Sequence, residues 1–290
     1  MAYLPDSAAP DAISIDSVAP DEYRVVTRFL EDSATSPMQA PVVRMTVFAV
    51  RDNGHWVFAN ALPRLTRSWR REAVRGLTYV MEPGYPFDRT RAERAAAFVD
   101  SLATAFGVPR LTSFTYYLTT SSDEIYRIMG LETDHKWGPV GGVSQPTNHQ
   151  LFSGNPAVGE DYRHELAHMV LLPLMGNTLY FVSEGVPTWV GGTSGMDFKA
   201  AARQFAGFLR EHPGVTLDSI LDGGLPPKQL YPAAAVFVDM ANDVGGVAAV
   251  KALYGSGDDF HKSMERLFKK PWAQIVADWR TKALSFAGSP

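Results

Sequence analysis

Residues 160–170 read EDYRHELAHMV and place His164, Glu165 and His168 within five positions. Histidines four apart on a helix stand one turn above the other on the same face, so their imidazoles converge on one point. Leu166 and Ala167 lie between them and Val170, Leu171 and Leu172 follow, which makes the helix apolar enough to be buried. Two histidines and a glutamate on a buried helix are costly unless they are paired or hold a metal. Zn2+ is the expected cofactor, with imidazole nitrogens at about 2.0–2.1 Å from the ion. Glu165 is rotated by about 100° from His164 and reaches a water beside the ion rather than the ion itself, the position of a general base.

A third ligand is needed. A third histidine on the same strand of sequence would stand at 174 after a glycine at 171, but both positions are leucine, and the chain has no cysteine. The remaining common solution is a carboxylate from a following helix. The segment LYFVSEGVPTWVGG, residues 179–192, supplies Glu184 sixteen residues after His168. Two histidines and one glutamate leave a fourth position for water.

The chain has 290 residues, 46% of them hydrophobic, enough for one large domain or a domain with an extension. With 27 basic and 31 acidic residues its formal charge is −4, and no global field draws it to phosphate backbones or anionic membranes. Nucleic acid is therefore not an expected partner. No sequence run reaches the 18 apolar residues of a membrane span, and the first residues lack a basic, apolar leader. The compartment stays open, with a lean towards an extracytoplasmic origin in which an export signal has been removed.

Residues 1–20 carry Pro5, Pro10 and Pro20 among small polar residues and are expected to form a mobile tail. Asn53-Gly54, between two β-rich runs, predicts a hairpin turn. Leu65 and Trp69, four apart among Arg64, Arg67, Arg70, Arg71 and Arg75, predict a short amphipathic helix whose arginines form a solvated face or contact an acidic partner. LTYVME (77–82) and LTSFTYYLTT (111–120) read as strands, with an alanine-rich helix between them that stops at Gly107. Ser and acidic residues at 121–124 open a further helix that ends on Gly130. The Gly- and Pro-rich segment 136–156 has room only for an edge strand, and from Glu160 onward the chain turns helical. Trp272, Ile275, Val276 and Trp279 form a final apolar stripe expected to pack in the core. The fold class is α+β: a small mixed sheet followed by a helical C-terminal half.

The His-Glu-x-x-His motif at 164–168 with the Ser183-Glu184-Gly185 segment downstream resembles the gluzincin (peptidase MA-like) zinc metallopeptidases. A Tyr-led helix from Tyr231, a Gly-ended second helix and a final helix with Trp are similar to the family's C-terminal half, and the resemblance covers about residues 71–290. It implies a zincin-like fold, with His164, His168 and Glu184 as zinc ligands and Glu165 as the base. It further implies that residues 141–151 form an edge strand that pairs an extended peptide, and that Tyr231 donates to the oxyanion of a tetrahedral intermediate. Tyr231 has an alternative role as an anchor of its helix start beside Pro232. Three features depart from the family. Pro187, three residues after Glu184, is expected to kink that helix or move its start towards Ser183. Thr188 stands where thermolysin-like members carry an aspartate, which leaves the orienting partner of a zinc histidine unnamed. The Gly-x-Met-Glu-Asn segment of the aminopeptidase branch is replaced by VGGVSQPTN (140–148).

The sequence thus divides into a tail (1–20), a hairpin-and-helix extension (21–70) and a metallopeptidase-like domain (71–290). The expected function is a zinc-dependent peptidase acting on a peptide or protein substrate. Two alternatives stay open: a noncatalytic, zinc-stabilised domain that binds a peptide or protein, and a zinc hydrolase of a nonpeptide amide or ester.

Overall fold

The computed structural model describes residues 9–30, 43–133 and 141–288. Strands β1 (Ala9–Ala19), β2 (Glu22–Leu30), β3 (Val43–Asp52) and β4 (His55–Ala59) form an antiparallel sheet in chain order. Asn53 and Gly54 both take positive φ, 47° and 84°, closing β3 onto β4 in a two-residue turn as expected. Residues 9–19 are not a tail but strand β1, paired along β2; residues 1–8 lie outside the described residues. Pairing, not burial, accounts for the strand, since Ile13, Ile15 and Val18 stay 47%, 65% and 48% exposed.

The expected arginine helix is also corrected. Only α1 (Leu62–Leu65) is helical, and Arg70–Val74 is strand β5, joined to β6 (Leu77–Met81) by a tight turn with positive φ at Arg75 and Gly76. A Cβ at Gly76 would come within 2.5 Å of the Thr112 carbonyl oxygen, so the turn requires glycine for space as well as for φ. Its arginines stay at the surface, with Arg67, Arg70, Arg71 and Arg75 exposed, and several have partners in the same chain: Arg64 pairs with Glu22, Arg75 with Asp100, and Arg71 donates to backbone carbonyls.

Helix α2 (Arg89–Phe106) begins at Asp88, whose carboxylate accepts from the Thr90 and Arg91 amides, and ends at Gly107 with φ 57°. Strand β7 (Phe114–Leu118) and α3 (Ser122–Ile128), capped by Ser121, follow. Strand β8 (Leu131–Thr133) then returns to the first sheet and pairs with β3. Strands β9 (Gly142–Gln145) and β10 (Gln150–Ser153) complete a second, mixed sheet of order β5-β6-β7-β10-β9, in which β6, β7 and β10 run parallel. The segment expected to be one edge strand is therefore two strands. β9 is the edge, whereas Gln150 and Leu151 belong to β10, which is paired on both sides; residues 136–140 of that segment lie outside the described residues.

This second sheet is covered on both faces, which fits the near-continuous apolar runs of β6 and β7. Tyr79, Met81, Tyr116, Leu118 and Leu151 face the alanine side of α2. Val80, Tyr117 and Phe152 face Leu62, Trp69, Ile125 and Ile128. The remaining elements are helices: α4 (Arg163–Leu171), α5 (Tyr180–Gly191), α6 (Phe198–Glu211), α7 (Leu217–Leu221), α8 (Pro227–Leu253), α9 (Phe260–Phe268) and α10 (Trp272–Ser285). The class is α+β, with one small antiparallel sheet, one small mixed sheet and a helical C-terminal half. Ile275 and Trp279 of the final stripe are fully buried, and the Trp279 indole donates to the Ala233 carbonyl of α8. Helix α8 is long and apolar enough to cross a membrane by length and composition, but its residues 233–238 are buried in the protein core.

Candidate metal centre

The mixed sheet positions α4 through buried tyrosines. The Tyr116 hydroxyl donates to the Gly159 carbonyl at 2.7 Å and accepts from the Tyr162 amide, and the Tyr79 hydroxyl donates to the Glu160 carbonyl. The Glu160 side chain, itself buried, accepts from the Asp88 amide ahead of α2. Burial pushes the Tyr79 and Tyr116 hydroxyls well above the usual tyrosine range, so both remain donors. The residues before the His-Glu-x-x-His helix are thus tied to the sheet, and the start of α4 is fixed in depth.

Helix α5 crosses α4 and rests on α8. Gly185 permits this approach, because a Cβ there would stand 2.9 Å from the Ala234 Cβ and 3.0 Å from its carbonyl carbon. Pro187 neither ends α5 nor moves its start: the helix begins at Tyr180 and runs through Pro187 to Gly191. Packing against α4 and α8 outweighs the missing hydrogen bond, a penalty of about 3 kcal/mol in an exposed helix.

These elements bring His164, His168 and Glu184 together, with their ligating atoms all within 4.8 Å of one another. The two Nε2 atoms are 3.3 Å apart, and Glu184 Oε2 lies 3.2 Å from His164 Nε2 and 3.5 Å from His168 Nε2. Donors about 2.0–2.2 Å from a tetrahedral zinc stand roughly 3.3–3.5 Å apart, so the three atoms match one face of such a site. Burial works to raise the Glu184 pKa, but hydrogen bonds from His164 and His168 outweigh it and bring the carboxyl down to about 2. For His168 burial favours the neutral ring, yet the Glu184 hydrogen bond and the Glu165 charge leave its pKa raised. The cluster has the donor types, spacing and carboxylate charge that a divalent ion requires.

A cleft of about 640 Å3 opens beside this cluster. Glu165 lines it, next to His164 on the same helix, and Gly141 and Gly142 at the start of edge strand β9 form one border. Tyr231 lines it from α8. The Tyr231 ring stacks on His164, with centroids 5.5 Å apart and planes 13° from parallel, and its hydroxyl shares a 2.9 Å hydrogen bond with Tyr180. Burial and the nearby Glu184 carboxylate push the Tyr231 hydroxyl far above its ordinary range, so it stays protonated.

Several residues were not identifiable from sequence. Tyr162 lines the cleft and packs so closely on β9 that a Cβ at Gly142 would stand 2.7 Å from its ring. The turn Thr193–Met196, held by a reciprocal backbone bridge, supplies another wall. Its neighbour Gly192 places a carbonyl oxygen 3.0 Å from His164 Nδ1. Thr188 does not take the aspartate's place: its hydroxyl is buried with no hydrogen-bond partner. The doublet Gly191-Gly192 was the only local signal. His149 is at a turn with φ 53° and is not a member of the cluster. No protein-family model matches the chain, and no curated protein matches it.

Proposed function

We propose that the chain is a zinc-dependent peptidase with a zincin-like fold, in which His164, His168 and Glu184 hold the ion. The reading rests on one observation: three donor atoms 3.2–3.5 Å apart, with Glu165 on the adjoining residue lining a cleft bordered by a sheet edge. Bound there, zinc supplies Lewis-acid polarisation of a carbonyl and lowers the pKa of water to about 7. Glu165 takes a proton from the attacking water and returns it to the leaving amine. Tyr231, protonated and stacked on His164, donates a hydrogen bond where negative charge develops on the substrate oxygen. Among the described residues β9 pairs with β10 alone, and its other edge offers backbone donors and acceptors to an extended peptide, which fixes the scissile bond beside Glu165.

Elemental analysis of purified protein, with peptide-library cleavage before and after Glu165→Gln, tests the proposal. The expected result is about one zinc per chain in both forms and a roughly 10²–10⁴-fold loss of cleavage in the variant. Zinc without cleavage in either form assigns a binding module instead. Cleavage of ester or nonpeptide amide probes alone assigns a different hydrolase. Cleavage that survives Glu165→Gln removes Glu165 from its role.

A further inference from the structure

A zinc histidine ligates through one ring nitrogen and needs its other N–H oriented by an acceptor. The thermolysin-like aspartate position is occupied by Thr188, whose hydroxyl is buried without a partner. His164 Nδ1 instead faces the Gly192 carbonyl oxygen at 3.0 Å, and the imidazole is 4% exposed. A backbone carbonyl only accepts, so Nδ1 donates to it, and Nε2 is the ring nitrogen left to face Glu184 and His168, where it donates to the carboxylate without an ion and is the atom free to ligate one.

The carbonyl is held on several sides. The Gly192 amide donates to the Thr188 carbonyl at 2.9 Å, one turn past Glu184 on α5. Thr193 and Met196 exchange two backbone hydrogen bonds of 2.9 Å, which close the following turn. Gly192 has φ 79°, and a Cβ there would collide with the Met196 carbonyl oxygen. Gly191 has no room for a Cβ either, which would stand 2.5 Å from the Arg163 carbonyl carbon and 2.6 Å from the His164 amide. The two glycines therefore let the end of α5 meet the start of α4 and aim one carbonyl at one ring nitrogen.

We propose that Gly192 is a positioning residue of the metal centre: its backbone carbonyl fixes the tautomer and ring angle of His164, the role that an aspartate side chain plays elsewhere. The inference rests on the metal-binding reading above. It also joins the metal to the cleft, because the segment that carries this carbonyl continues into Thr193, Ser194 and Gly195, which line the cleft wall.

Zinc affinity measured by chelator competition on the full chain tests it. Gly192→Ala is expected to lower affinity roughly 10–100-fold, as removal of an orienting partner does. Gly223→Ala is the control: Gly223 has φ 83° and open space around its Cβ, but it follows α7 and does not line the cleft, so the substitution strains a backbone turn without touching the one that carries the carbonyl. It is expected to keep zinc affinity within about twofold of wild type, because the His164 ring is not displaced. Equal loss in both variants, or no loss in either, overturns the positioning role. Nitrogen-15 NMR of the wild-type histidines decides the matter even where Gly192→Ala fails to fold. His164 Nδ1 is expected to be protonated and slow to exchange, with or without zinc, and an unprotonated Nδ1 overturns the inference. A wild-type chain that binds no zinc defeats the proposed function, whereas zinc binding that is indifferent to Gly192 defeats only this inference.

Discussion

The three donor atoms come from two helices, yet their residue types and spacing were legible in the sequence because an i, i+4 pair on a helix has only one geometry. Glu184 followed by elimination and by the apolar residues around it, and its Oε2 lies 3.2 Å from His164 Nε2. His164→Ala and Glu184→Ala are each expected to lower zinc affinity by more than tenfold in a chelator titration, since each leaves two ligands. His149→Ala is expected to leave it unchanged, and a loss there would relocate the site. Tyr231 was legible only through resemblance. Its hydroxyl is separable from its ring: Tyr231→Phe keeps the surface that stacks on His164 and removes the donor. If it meets the substrate oxyanion, turnover of a cleaved peptide falls roughly 10²–10³-fold with zinc content unchanged. If it only anchors the start of α8, turnover persists and thermal stability falls.

At the scale of elements, the strongest sequence signals were those with a local physical cause. Gly107 ends α2, Asn53-Gly54 closes a hairpin, and the β-rich run LTYVME becomes β6. The reading failed where tertiary contact overrides local pattern. Leu65 and Trp69 have helical spacing, but the chain leaves the helix at Leu65, and Trp69 instead fills the core beneath Val80 and Phe152. Pro187 signals a break that α5 ignores because both neighbouring helices hold it. Gly185 is the counterpart: nothing local marks it as necessary, and its cause is the α8 backbone. Gly185→Ala is expected to destabilise the protein by about 1–3 kcal/mol, as overpacking does, and to weaken zinc binding because Glu184 moves with α5. Urea unfolding with and without zinc checks both parts. A variant as stable as wild type would mean that α5 and α8 have slack at this crossing.

Over the whole molecule, the first sheet is the part that composition concealed. Residues 9–19 have too little apolar content to announce a strand, and β1 exists because β2 pairs along it, with register shifts at Ile13 and Val18. Strand β8 closes the same sheet from position 131–133, a long-range pairing that no local window contains. The metal centre is remote from this sheet in its support: its ligands stand on α4 and α5, which are anchored by the mixed sheet and α8. Metal removal should therefore act on one part of the molecule. Zinc at 100 times its Kd adds about 2.7 kcal/mol to folding stability, which for a chain of this size corresponds to a rise in Tm of roughly 4–5 °C. Hydrogen exchange after chelation is expected to quicken in α4, α5 and the Thr193–Met196 turn while β1–β4 keep their wild-type rates. An equal change in β1–β4 would show that the first sheet and the metal centre unfold as one cooperative unit. No change in α4 and α5 would show that the cluster is preformed rigidly enough to need no ion.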